Sequence, residues 1–71
     1  MDERLVGYLW TLHDDLTCIQ EVLIDLERYN EMHGDFSAKK NITVFRILII
    51  SLIKKVKEIA YEMENSKTDE F

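Results

Sequence analysis

From Leu5 onward the apolar residues advance by steps of four and three: Leu5, Leu9, Leu12, Leu16, Ile19, Leu23, Leu26. That alternation is the seam of a helix packed at a shallow angle against another helix. Asn30 and His33 continue the spacing in polar form, so the seam fades, and Gly34 follows as the residue best suited to a left-handed helix end. Asp2 and Glu3 fall in the first turn, where carboxylates suit the positive end of the helix dipole. The pattern predicts a first helix over about residues 2–33. It resumes after Gly34-Asp35-Phe36 with Ile42, Phe45, Ile49, Leu52, Val56, Ile59 and Met63, extended backwards by Ala38. Ser37 is the expected N-cap, with Asn41 as the alternative for a late start. A second helix over about 37–66 and a frayed tail, 67–71, complete the chain. Residues 42–53 are rich enough in Ile and Val to suggest a strand. A lone strand has no pairing partner, however, and the same spacing continues to Met63.

Two helices of matched length joined by residues 34–36 must fold back on each other as an antiparallel hairpin, giving one all-α domain over 1–71. Zero prolines and two glycines fit a chain of a few long helices. Charge supports the fold-back. Residues 1–36 hold nine acids and two bases, net -7, and residues 37–71 hold seven bases and five acids, net +2. The expected core is the middle of both seams: Leu16, Ile19, Leu23, Leu26, Ile49, Leu52 and Val56.

Seventy-one residues bury too little surface for a robust isolated core. One cysteine, Cys18, excludes an internal disulfide as the remedy. The apolar positions also outnumber what one seam per helix can hide. On helix 1 the stripe Val6, Trp10, His13, Thr17, Gln20 and Ile24 carries no formal charge with His13 neutral, in a chain that is 32% charged. On helix 2, Ile47, Leu48, Ile50 and Ile53 leave residues 42–53 apolar almost all round, as in a helix buried on several sides. The economical expectation is a homodimer, two hairpins forming a four-helix bundle with coiled-coil-like packing. Val6, Trp10, His13, Thr17, Gln20 and Ile24 are the expected interaction surface, facing either the second subunit or a target protein, with Trp10 at its centre.

Catalytic constellations do not emerge. His13 and His33 lie 20 residues apart, His13 and Cys18 do not face each other, and neither the Glu-x-x-His nor the His-Glu-x-x-His pattern occurs. Gly7 and Gly34 are isolated, so no phosphate-cradling loop exists. No enzyme activity, catalytic residue, metal or cofactor is expected. The leading functional reading is a small protein–protein interaction module (an adaptor, inhibitor or regulator) whose composition resembles accessory proteins of bacteria and phages.

The alternative reading is an RNA- or DNA-binding hairpin dimer using Lys39, Lys40, Arg46, Lys54, Lys55 and Lys57. The net charge of -5 opposes it, and complementarity to the acidic first helix explains the same bases. Surface attachment to a membrane through residues 42–57 is a third class, and burial in the bundle accounts for those residues with less strain. The acidic start does not resemble a secretory leader. The longest apolar run, 44–53, is interrupted by Arg46 and Ser51 and is too short to span a bilayer. A lone thiol and no leader together suggest a cytoplasmic protein.

Overall fold

A computed structural model describes residues 3–69. Two helices, α1 (Glu3–Met32) and α2 (Phe36–Asp69), pack against each other along their length, and no strand occurs among the described residues. The all-α hairpin read from the seam spacing is therefore present. Of the predicted tail, residues 67–69 continue α2, whereas Glu70 and Phe71 lie outside the described residues.

The turn has the expected three residues but lies one position earlier, at 33–35, and these residues carry both helix ends. Gly34 adopts φ 72°, the left-handed region in which a Cβ is strained. Its N–H donates to the Glu31 carbonyl (3.1 Å), and the Asp35 N–H donates to the Asn30 carbonyl (2.9 Å), the paired bonds of a Schellman ending. Asp35 then reverses role. Its Oδ1 accepts the Ala38 N–H at 3.0 Å, and its carbonyl accepts from the Lys39 N–H, so Asp35 is the N-cap of α2. Neither Ser37 nor Asn41 caps. Helix 2 starts one residue before the predicted boundary because the carboxylate beside Gly34 reaches the third helical N–H first.

The hairpin is a single layer. Its Cα extents are 58 × 15 × 10 Å and its radius of gyration is 16.4 Å, against about 11 Å for a compact chain of this length. Each helix has one neighbour, so each buries one narrow strip. The buried apolar residues are Leu16, Leu23, Ile49, Val56 and Ala60, with Leu9, Ile42 and Ile53 packed beside them. Four of the seven expected core residues are among them. Ile19, Leu26 and Leu52 are not; each is more than two-fifths exposed. The reason is geometric. Each helix points the row of Leu16 and Leu23, or of Ile49 and Val56, straight at its neighbour, which leaves the other row of the seam turned about 50° to one side.

Candidate interaction surface

The hairpin has two unlike flanks, and the residue spacing shows how they arise. In α1, Leu12 and Ile19 stand four before and three after the buried Leu16. In α2, Phe45 and Leu52 stand in the same relation to Ile49, and Leu52 and Ile59 to Val56. The same spacing means the same rotation about each helix's own N-to-C axis. Because the helices are antiparallel and face each other, equal rotations bring both rows to one side of the hairpin. Leu5, Leu12, Ile19 and Leu26 thus lie beside Phe45, Leu52 and Ile59 on one flank, each between 42% and 51% exposed. Tyr8, Val22 and Tyr29 of α1 and Leu48 of α2 border it and are more exposed still. The seven row residues alone leave on the order of 500 Å² of apolar surface to water.

The opposite flank is closed by polar contacts between the helices. Trp10 donates its indole N–H to Glu64 (2.7 Å) and meets the Tyr61 ring edge-on at 5.2 Å. Arg46 pairs with Glu27 through its Nε, and Lys39 with Glu31 at 3.1 Å. Glu27 keeps only 14% of its side-chain surface exposed, so this ion pair is more sheltered than that of Lys39 and Glu31.

The stripe Val6, Trp10, His13, Thr17, Gln20 and Ile24 belongs to this closed flank. All six are half-buried where α1 meets α2, rather than on a free solvent face. Trp10 packs against Tyr61 and also meets the His13 ring edge-on at 5.5 Å, and His13 lies 3.3 Å from Asp14. The Thr17 hydroxyl donates to the His13 carbonyl at 2.9 Å, so its hydrogen bond is made within its own helix. The missing charge along the stripe has a local explanation: charged groups there would be desolvated against α2.

Among the six candidate nucleic-acid contacts, Lys39 and Arg46 are engaged by Glu31 and Glu27, and Lys57 lies 5.9 Å from the Tyr61 ring centre. Lys40, Lys54 and Lys55 are exposed. The bases do not form one continuous surface. Lys39, Arg46 and Lys57 lie toward the closed flank, Lys40 and Lys54 on the back of α2, and Lys55 at the edge of the open flank. Among the described residues no three His, Cys, Asp or Glu side chains are placed to share a metal, and no helix is long and apolar enough to cross a membrane. Cys18 is exposed.

The open flank escaped the sequence reading because its residues look like core. Its signal was present nonetheless: a seven-residue repeat on each helix beyond the repeat already used between the helices. Compared with protein-family models, with curated proteins and with solved structures, the chain matches none.

Proposed function

We propose that the chain is a non-catalytic protein–protein interaction module that works as a homodimer, with the open apolar flank of one hairpin laid on that of another. One observation carries the reading: the two rows of half-exposed apolar residues come from both helices onto the same side of a molecule only one helix thick. In a four-helix bundle each helix has two neighbours, and a row turned to one side of the first contact can meet the second neighbour. Both helices carry such a row, and in the hairpin it is half-exposed. The flank is also nearly free of charge, as the buried centre of an interface is.

The stripe around Trp10 supports a recognition role less well, because its apolar members are half-buried inside the hairpin and its hydrogen bonds are made there. The nucleic-acid alternative is weakened in the same way, since Lys39 and Arg46 are neutralised by carboxylates of α1. Salt-dependent retention on immobilised RNA checks that alternative, because phosphate binding must weaken steeply as salt is added.

The test of the main reading compares two flanks of one helix. Leu52 on the open flank is 44% exposed and Ile50 toward the closed flank is 40% exposed. Leu52→Glu is expected to weaken self-association about a hundredfold, since it buries a carboxylate at the contact. Ile50→Glu is expected to leave the mass in solution unchanged. Equal sensitivity at both positions, or sensitivity at Ile50 alone, contradicts the assignment of the flank.

A further inference from the structure

We infer that the second copy docks with its turn at the same end as the first, each acidic α1 lying over the basic α2 of the partner, with Asp15 facing Lys55 of the partner subunit. The inference rests on the homodimer reading above and adds the arrangement, which that reading leaves open.

A two-fold axis can stack the open flanks in two ways. With the axis along the hairpin, the turns share an end and each α1 crosses over an α2. With the axis across the hairpin, the turns lie at opposite ends, α1 stacks on α1 and α2 on α2. Neighbouring helices are antiparallel in both, so helix dipoles do not choose between them. Charge does. Helix α1 carries seven acids and two bases, 2 − 7 = −5, and α2 carries seven bases and four acids, 7 − 4 = +3. Six of the seven bases of α2 lie between residues 39 and 57, and the same-end arrangement sets that stretch over the acid-rich second half of the partner's α1.

The border of the flank sharpens the choice. Asp15 and Lys55 sit there midway along each helix, with Glu62 one repeat further along α2, and all three are exposed. Their relative height follows from the contacts between the helices. Trp10 is level with Tyr61 and Glu64, Glu27 with Arg46 and Glu31 with Lys39, which puts Asp15 level with about residue 57. Rotation about the long axis preserves height, so each Asp15 comes within a turn of Lys55 of the partner subunit. Rotation about the cross axis instead sets Asp15, midway between Leu5 and Leu26, opposite its own copy, and Lys55 near its own copy.

The apolar border agrees. Val22 of α1 is 57% exposed and Leu48 of α2 is 61% exposed. By the same height rule Val22 is level with about residue 50. In the same-end arrangement Val22 and the partner's Leu48 cover each other across the dimer, which accounts for two apolar side chains that the single hairpin leaves more than half exposed.

The experiment uses the full chain with Cys18→Ser and Lys40→Cys, spin-labelled at position 40 near the turn, and reads the distance between labels by pulsed dipolar spectroscopy. Turns at the same end give about 30 Å, two diagonal helices plus the label arms. Turns at opposite ends give about 50 Å, twice the helix rise between position 40 and the centre of the flank. The long distance overturns the inference and leaves the homodimer standing. No dipolar signal between molecules, together with a single-chain mass, overturns the homodimer itself. A charge-reversal pair gives an independent readout. Lys55→Glu is expected to raise the dimer dissociation constant several-fold, and adding Asp15→Lys to restore it. If Lys55→Glu has no effect and Asp15→Lys rescues nothing, the pairing is wrong.

Discussion

Truncating one residue from each face of the seam separates the contribution of the hairpin from that of its covering. Leu23 is 8% exposed and packs between α1 and α2, so Leu23→Ala removes about three buried carbons. At about 0.8 kcal/mol per methylene that is a little over 2 kcal/mol. A layer one helix thick can relax around the gap, which keeps the loss near the lower end of the usual 2–5 kcal/mol. Leu52 is 44% exposed in the hairpin, so Leu52→Ala costs about 1 kcal/mol if nothing covers it. Covered by a second copy, Leu52 is as buried as Leu23, and its truncation costs about 2 kcal/mol as well. Urea unfolding followed by far-ultraviolet circular dichroism measures both. Repeating it at chain concentrations about a hundredfold apart adds about 2.7 kcal/mol to the unfolding free energy of a dimer and nothing to that of a monomer. A loss under about 0.5 kcal/mol at Leu23 refutes the packing register. A Leu52 loss half that of Leu23, with no dependence on concentration, refutes the covered flank.

The remaining predictions concern the turn and the closed flank. Gly34→Ala is expected to cost about 1 kcal/mol in thermal or urea unfolding, because the left-handed φ of 72° strains any Cβ even though open space surrounds it. Gly7→Ala runs the other way, stabilising by about 0.5–1 kcal/mol, since that glycine sits inside α1 and a Cβ there meets nothing within 4 Å. Asp35→Ala removes the cap of α2 and is expected to cost about 1 kcal/mol, with Asp35→Asn or Asp35→Ser recovering most of it. Arg46→Ala leaves the sheltered Glu27 carboxylate without its partner and is expected to cost about 1–3 kcal/mol, and Glu27→Gln in the same background to return part of that loss.

The helices were legible in the sequence because a four-three repeat is a direct image of helix geometry, and α1 and α2 appear where the repeats run. The sides of the seam were not. A four-three repeat fixes which residues face inward on average but does not distribute them between two neighbours, so Ile19, Leu26 and Leu52 read as equivalent to Leu16, Leu23 and Val56. Only the position of the second helix separates them. The stripe around Trp10 shows the converse. Its lack of charge was visible, but contact with Tyr61 and Glu64 within one chain leaves the same imprint as contact with another molecule. The cap at Asp35 was overlooked for a local reason. Ser37 and Asp35 are both good capping residues two positions apart, and the reach of the Asp35 carboxylate to the Ala38 N–H decides the helix start.

The claim that the open flank is covered by a second copy is tested most directly by sedimentation equilibrium of the full chain at micromolar concentration. A covered flank gives a mass of twice 8.5 kDa, falling to one chain with Leu52→Glu and unchanged with Ile50→Glu. A mass of one chain for the unaltered protein, with both helices still formed, contradicts it.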